Sequence, residues 1–427
     1  MKALVIGSGG REHALAWKLA QSENIGKIYV APGNGGTHLE EKCENINIQE
    51  DNFKELADFV ISKQIEFTVV GPETPLSKGI VDFFETKNLN IIGPTLQAAQ
   101  IESSKSFAKT IMDEAGIPSA SYNIFDSYIE VVKYIESINY PIVIKYDGLA
   151  KGKGVFIANS KKESEKYIYD IFIEKKFGNN PVVVIEDFLI GEEASYIALT
   201  DGENILPFAS SQDHKQLYNN DKGPNTGGMG AYSPAPLLEG KYSIFTQNKV
   251  IKPLLKILQK KGINYKGFIY AGLMITKDGP KVLEFNCRLG DPETQPILMR
   301  LENDISELII ACLNNTLNKI TVNWSSDFAV SVVMVSKGYP EHYDKGYEIY
   351  GLDTLKDNNI KVFHSGTKYI NSKVITNGGR VLSVTAINNT IDSSIEEVYN
   401  AINKIHFEGA YFRTDIGYKA LRGYKNE

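Results

Sequence analysis

The chain has 427 residues, enough for roughly three domains at about 150 residues each, with cores that need neither disulfides nor a structural metal. Apolar residues make up 42% and charged residues 23%, with 36 Gly and 16 Pro, values that exclude extensive disorder and a collagen-like chain. Lys plus Arg number 46 against 52 Asp plus Glu, a net charge of −6, which argues against a nucleic-acid partner held through its phosphates, and no run of ~18 apolar residues is present to span a membrane.

Residues 1–102 alternate short apolar runs with helical patterns. Ala3–Ile6 predicts a strand closed by Gly7, Arg11–Gln21 a helix burying Leu15 and Leu19, and Ile28–Ala31 a second strand ending in Pro32-Gly-Asn-Gly-Gly36. Asp51 is expected to cap a helix carrying Phe53, Leu56, Ala57 and Val60. Phe67–Val70 runs into Gly71-Pro-Glu73, and Ile91-Ile92 into Gly93-Pro94. This alternation makes a doubly wound parallel sheet, whose ligands sit at the carboxyl ends of the strands.

Ser103–Ala115 predicts an amphipathic helix. Extended runs at 142–144, 155–157 and 182–185 then flank one helix, about Lys162–Lys175. Residues 201–325 hold a Gly/Pro-rich stretch, a helix near Lys249–Lys261 and two apolar strands. Ala329–Val335 predicts a further strand, Asn377-Gly-Gly379 a hairpin, and Ser394–Ile405 a helix whose capping box is Ser393 and Glu396. The fold class is therefore α/β and α+β multidomain. The expected division is 1–102 (α/β), 103–325 with a subdomain at about 120–190, and a small α+β unit at 326–427. MKALVIGSGG lacks the long apolar core of a signal peptide, and Cys43, Cys287 and Cys312 form no CxxC pair. A reducing, cytoplasmic setting is expected.

Five segments carry chemistry. Gly7-Ser-Gly-Gly-Arg-Glu-His13 follows the first strand, but Glu12 stands where a dinucleotide fingerprint has its third glycine. Ala31-Pro32-Gly33 also replaces the acidic residue expected after the second strand. What remains is a backbone-lined turn at a helix N-terminus, suited to an anion or to no ligand at all. Asp147-Gly-Leu-Ala-Lys-Gly-Lys-Gly154 lies between two strands and is not a Walker A loop. It reads as a flap whose backbone N–H groups and lysines close over phosphates, or as a solvated basic hairpin, with Lys145 on the strand before it.

Val182–Leu189 followed by Gly191-Glu-Glu193 offers an apolar strand, backbone and a carboxylate to an adenosine, or a core strand and an acidic turn. Gln212-Asp-His-Lys215 and Gly223–Pro234 read as a backbone-rich substrate loop, or as an ordered surface loop. The sharpest signal is Val282–Glu293. Glu284 and Asn286 are i and i+2 on a strand, and so share a face, with Leu283 and Phe285 expected toward the core. One carboxylate and one amide oxygen suit Mg²⁺ completed by phosphates and water. Arg288 would hold an anionic substrate or transferred phosphoryl group.

Taken together, GSGGREHA at 7–14, GNGGT at 33–37, GPE at 71–73, SK at 104–105, DGLAKGKGV at 147–155, GEEAS at 191–195, QDHK at 212–215, GPNTGGMGAYSPAP at 223–236 and EFNCRLGDPETQ at 284–295 resemble the phosphoribosylamine–glycine ligases (glycinamide ribonucleotide synthetases) of the ATP-grasp superfamily. The resemblance implies an N-terminal α/β domain, a two-part ATP-grasp core and a small C-terminal domain. It implies that ATP, glycine and 5-phospho-β-D-ribosylamine give glycinamide ribonucleotide, ADP and phosphate, the second step of de novo purine synthesis.

Carried over by position, Lys105, Lys145, Gly152, Lys153 and Gly154 would contact ATP phosphates. Glu186, Asp187, Phe188 and Leu189 would form the adenine hinge, and Glu193 would bind ribose. Glu284 and Asn286 would bind Mg²⁺ or Mn²⁺. Gly9, Gly10, Gly33, Asn34, Gly36, Thr37, Gly71, Pro72, Glu73, Asp213, Lys215, Asn225, Thr226, Gly227, Gly228, Met229, Arg288, Asp291 and Pro292 would line the glycine and acceptor sites. Arg288, Lys145 and Asp213 are the candidate catalytic residues. The expected partners are these small molecules, with no nucleic acid and no membrane. The expected state is a monomer in transient handover with neighbouring purine-pathway enzymes.

Overall fold

The computed structural model describes residues 1–150, 154–355 and 357–424. β1 (Lys2–Gly7), β2 (Lys27–Pro32), β3 (Cys43–Asn45), β4 (Phe67–Val70) and β5 (Ile91–Ile92) form a parallel sheet in the order β3-β2-β1-β4-β5. Ala3 to Ile6 are fully buried, as a parallel strand covered on both faces requires. The chain order reverses between β1 and β4, whose ends Ile6 and Val70 are paired. The Gly7 and Gly71 turns therefore meet at the switch point, where such sheets bind ligands. The helix after β3 spans Phe53–Lys63 and buries Leu56, Ala57 and Val60, but its cap is Asn52 rather than Asp51. Asn52 Oδ1 accepts the Glu55 N–H at 3.4 Å; both residue types cap well, and the helix begins at Phe53, directly after Asn52.

The next helix, Lys105–Ala115, is capped by Ser104 and preceded by a separate short helix, Gln100–Ser103. β6 (Tyr122–Phe125), β7 (Ile142–Tyr146), β8 (Val155–Ala158) and β9 (Val183–Asp187) form an antiparallel sheet in the order β6-β9-β7-β8. Two helices back it where the sequence pattern predicted one. Tyr128–Ile135 buries Val131 and Ile135, and Lys161–Phe172 buries Tyr167, Ile168 and Ile171. The first was masked because apolar residues stand on its exposed side too: Ile129 is 79% exposed.

β10 (Glu192–Thr200), β11 (Ile205–Pro207), β12 (Gln212–Asp213), a hairpin of β13 (Gln216–Tyr218) and β14 (Lys222–Asn225), and β15 (Gly230–Ser233) follow. Helical structure then runs from Lys241 to Lys260, with a wider turn at Gln247–Ile251 just ahead of Pro253, which offers no N–H. β16 (Gly267–Thr276) and β17 (Gly279–Asn286) join β10 and β11 in the order β11-β10-β16-β17.

The last sheet takes β18 (Phe328–Val335), β19 (Ile360–His364) and β22 (Arg380–Asn388) together with β12 and β15, in the order β12-β15-β18-β22-β19. The glycine-rich substrate loop is thus bracketed by strands of the same sheet as the C-terminal region. The expected hairpin at Asn377-Gly-Gly379 is not one. The turn lies at Asn371 and Ser372, both left-handed at φ 50° and 61°, between β20 (Thr367–Ile370) and β21 (Lys373–Thr376). Residues 377–379 instead carry the chain from that hairpin into β22. The following helix is Ile391–Ile402, capped by Thr390, not Ser393. It starts almost as soon as the chain leaves β22, so that Val398, Ala401 and Ile402 reach the core.

Candidate active site

A cleft of about 670 Å³ opens between the switch point of the first sheet, the inner face of β17 and the foot of the flap sheet. Glu284 and Asn286 line it together with Leu149, Ala150 and Gly154, so the flap segment and the candidate metal strand share one cavity. The strict alternation expected along β17 is broken by a bulge. Gly272 pairs with Glu284 and Leu273 with Val282, leaving Leu283 unpaired. Leu283 consequently lines the cleft beside Glu284, and Val282 and Phe285 take the buried positions. A bulge shifts the pleat by one residue and re-aims the side chains after it. The Asn286 carboxamide is satisfied only with its nitrogen toward Glu102 Oε1 at 3.0 Å and the Phe285 carbonyl at 3.2 Å; this orientation, assigned from its neighbours, leaves its oxygen for a ligand. Among the described residues no cluster of three or more His, Cys, Asp or Glu side chains has metal-holding geometry. The donor set here is one carboxylate and one amide oxygen.

Lysines surround this floor. Lys145 Nζ lies 2.8 Å from Glu186 Oε1 and donates to the Leu283 carbonyl at 2.9 Å. Lys109 Nζ is 3.2 Å from Glu186 Oε2. Glu186 is 3% exposed, and its side chain neutralises two lysines inside the cleft. Lys105 Nζ donates to the Gly148 carbonyl at 2.6 Å, and Ser104 and Ser106 donate to Asp147, fixing the foot of the flap. Burial lowers the Lys105 and Lys109 ammonium groups from the usual lysine range, against the pull of Glu284 and Glu186 respectively. Lys215 Nζ pairs with Glu193 at 2.6 Å and reaches Glu284 at 3.9 Å. Burial opposes its charge, but Glu193, Asp213 and Glu284 outweigh burial and hold it firmly protonated. Burial likewise penalises the Glu284 carboxylate, yet Lys215, Lys145 and Lys105 keep it below its ordinary value. Asp213 also lines the cleft; burial, then the nearby Glu293 and Glu193, push its carboxyl up to about 8 despite Lys215.

At the other end stand Gly9, Pro72, Glu73, Asn225, Thr226, Gly227, Arg288 and Asp291. Glu12 fills the turn that a dinucleotide would need. The Gly9 N–H donates to its Oε2 at 2.5 Å, and its Oε1 lies 2.5 Å from Arg11 Nε. A Cβ on Gly71 would fall on the same carboxylate. Arg288 is held by two carboxylates, Glu73 at 3.2 Å and Glu102 at 2.8 Å. Burial works against the Glu73 carboxylate, but Arg288 and Arg11 draw it down to about 2. Asp291 pairs with Arg380 at 3.1 Å, and Arg380 also donates to the Gly227 carbonyl at 2.7 Å.

Other predicted residues lie off the cleft. Gly33, Asn34, Gly36 and Thr37 build the start of a short helix, Gly35–Leu39. The Asn34 side chain accepts from the Gly36 and Thr37 N–H groups and donates to the His364 carbonyl. Gly10 packs against Gln295 and Ser365, Gly228 against Pro292 at φ +111°, and Met229 is fully buried. Asp187, Phe188 and Leu189 follow the buried part of β9, with Phe188 38% exposed. Gly152 and Lys153 lie outside the described residues. Arg11, on the cleft wall, belongs to the first glycine turn, whose motif gives it no role. The motifs missed Glu50, Glu102, Lys109, Tyr339 and Arg380, all also on the cleft wall. Arg380 directly follows the Asn377-Gly-Gly379 segment that did draw attention; the others carry no local signal.

Comparison with known proteins agrees with this arrangement. Family models for phosphoribosylglycinamide synthetase match as the N domain over residues 1–102, the ATP-grasp (A) domain over 103–294 and the C domain over 329–419. The phosphoribosylamine–glycine ligase of Escherichia coli K12 is 47% identical over 429 residues, covering 100% of both chains. That of Allochromatium vinosum is 47% identical over 423 residues, covering 99% of both. The trifunctional purine biosynthetic protein adenosine-3 of Gallus gallus is 48% identical over 423 residues, covering 98% of this chain and 42% of its own. The crystal structure of phosphoribosylamine–glycine ligase from Thermotoga maritima superposes with a TM-score of 0.83 at 31% identity, covering 97% of this chain and 100% of that one. A biotin carboxylase domain from Hydrogenobacter thermophilus shares the fold at 15% identity and a TM-score of 0.69. Matched over its full length at this identity, and with a cleft walled by the glycine-rich loops of its sequence, the chain belongs to the phosphoribosylamine–glycine ligase family, an ATP-dependent carbon–nitrogen ligase of ATP-grasp architecture.

Proposed function

We propose that the cleft joins glycine to 5-phospho-β-D-ribosylamine at the expense of ATP, through glycyl phosphate. A carboxylate at neutral pH is a poor electrophile, so activation must come first. A glycine carboxylate oxygen bonds to the γ-phosphorus, the bond from that phosphorus to the bridging oxygen breaks, and ADP leaves. Lys105, Lys145 and Lys215 line the cleft and would meet the charge that spreads over the transferring phosphoryl group. The ribosylamine nitrogen then attacks the acyl carbon, loses a proton, and phosphate leaves with the electron pair of its carbon–oxygen bond. The products are glycinamide ribonucleotide, ADP and phosphate. No covalent bond to the enzyme is required.

The observation that carries this reading is the single cavity that joins the lysine-ringed floor of β17 to the switch-point loops. The floor suits a triphosphate, and the loops, with Asp213, Lys215 and Asn225–Gly227, suit the amino acid and the sugar amine. Oxygen donors only, on one face and beside lysines, fit Mg²⁺ or Mn²⁺; Glu284 and Asn286 would hold such an ion, which would neutralise phosphate charge when bound. The flap foot, anchored through Asp147 and Gly148, would exclude water from an acyl phosphate that hydrolyses readily. Gly152 and Lys153 are assigned to that flap's phosphate contacts. The same reading makes the enzyme a cytoplasmic monomer.

Phosphate release, measured with ATP, glycine and freshly made phosphoribosylamine and with each omitted in turn, tests the proposal. Release that depends on all three is expected. Release that needs a different amino acid or a different amine would reassign the chain to another carboxylate–amine ligation.

A further inference from the structure

Glu102 belongs to none of the motifs that mark the cleft, yet three consecutive residues of the site lean on it. It lies one residue before the end of the short helix Gln100–Ser103, and its side chain is 6% exposed. Oε1 faces Arg288 Nη2 at 2.8 Å and, in the amide orientation that its neighbours satisfy, the Asn286 carboxamide nitrogen at 3.0 Å. Oε2 accepts the Cys287 N–H at 2.8 Å and the Cys287 thiol at 3.1 Å. A carboxylate offers about four lone-pair sites, and all of these are engaged. The residues that follow turn to the opposite wall: Ser104 donates to Asp147 at 3.2 Å, and Lys105 to the Gly148 carbonyl at 2.6 Å. One stretch of five residues, 102–106, therefore ties the end of β17 to the foot of the flap.

We propose that Glu102 is a positioning residue for the phosphoryl-transfer site: it sets which atom Asn286 presents to the cleft and where Arg288 stands. A carboxamide is nearly symmetric in shape, so an asparagine offers a cation its oxygen only if something claims its nitrogen. Glu102 Oε1, at 3.0 Å, is the nearer of the two acceptors of the Asn286 nitrogen, the other being the Phe285 carbonyl at 3.2 Å, and the same carboxylate atom holds the guanidinium two residues on. This inference rests on the reading that Glu284 and Asn286 hold the cation that accompanies ATP.

The test is Mn²⁺ binding in the presence of ADP, followed by electron paramagnetic resonance of free Mn²⁺, alongside ADP binding in EDTA by calorimetry. Glu102→Gln should weaken Mn²⁺ affinity about 10- to 100-fold while metal-free ADP affinity stays within about twofold. Glu102→Asp, which keeps the charge but shortens the reach, should lose Mn²⁺ affinity in the same direction with a wild-type circular dichroism spectrum. A folded Glu102→Gln protein that binds Mn²⁺ like the wild type overturns the proposal. Equal losses of Mn²⁺ and metal-free ADP binding, or two variants that both fail to fold, would make Glu102 a structural residue and overturn it as well. Wild-type protein that binds no Mn²⁺ with ADP would remove the metal reading beneath it, a failure separate from that of Glu102.

Discussion

Glu284 and Arg288 show how a side chain's charge is set by what surrounds it. Glu284 is held ionised in the cleft because lysines face it, and Arg288 is shared between Glu73 and Glu102. Removing either leaves its partners' charge uncompensated in the cleft. Glu284→Ala and Arg288→Ala are expected to lower kcat by about 100-fold or more with an unchanged circular dichroism spectrum; ADP release measures the first and spectroscopy the second. Near-normal turnover in the folded variants would remove these residues from the site. Arg288 was legible in the sequence as an anion holder. That its partners are carboxylates of the protein was not, because Glu73 and Glu102 lie more than 180 residues away in the chain.

Elements, rather than single contacts, place the loops. Ser104 caps the helix Lys105–Ala115 by accepting the Phe107 N–H at 3.1 Å and also donates to Asp147. Ser104→Ala should therefore destabilise the protein by about 1 kcal/mol, read from urea unfolding, and raise KM for ATP as the flap foot loosens. An unchanged KM would detach the cap from the flap. The hairpin β13–β14 is held from the C-terminal side by Arg413, which is fully buried and lies 3.0 Å from Asp221 and 2.8 Å from Asp415. Removing one member of such a buried set leaves the other charges stranded. Arg413→Met should cost about 3–5 kcal/mol in the same assay; a loss below about 1 kcal/mol would mean that the pair behaves as a surface one.

Across the whole molecule, the N-terminal and C-terminal sheets are joined through histidine. His13 Nδ1 accepts the His364 N–H at 2.8 Å, and its Nε2 lies 3.1 Å from Glu40, which also takes Lys361 at 2.6 Å. An Nδ1 that accepts a backbone N–H carries no proton, so His13 sits neutral with its proton on Nε2. Burial, partly offset by Glu40, lowers the His13 pKa from 6.5. A histidine depressed on folding lends stability that is fully present above about pH 6.5 and is lost as pH falls toward its folded value. Glu40, drawn down to about 2 by His13 and Lys361 against burial, remains charged through that window. Buried carboxyls raised on folding, Asp213 among them, contribute slope of the opposite sign, so the informative quantity is a difference. His13→Gln should flatten the fall in unfolding free energy between pH 6.5 and 4.5 by up to about 1.4 kcal/mol per pH unit relative to wild type. Identical slopes would show that the ring titrates alike in both states.

The sequence by itself determined the local elements and the chemistry of the cleft. Apolar runs ending in glycine located β1, β2 and β4, and the spacing of Glu284 and Asn286 placed them on one face, because both are properties of a few adjacent residues. Where two local solutions were nearly equal, only packing decided. Asn52 took the cap from Asp51, the turn moved from 377–379 to Asn371-Ser372, and a bulge brought Leu283 round to the cleft. Tertiary structure alone also drew Glu102, Lys109 and Arg380 onto the cleft wall and used Asn34 and Thr37 as a cap beside it. These are consequences of which distant surfaces bury one another, and no spacing within a segment encodes that.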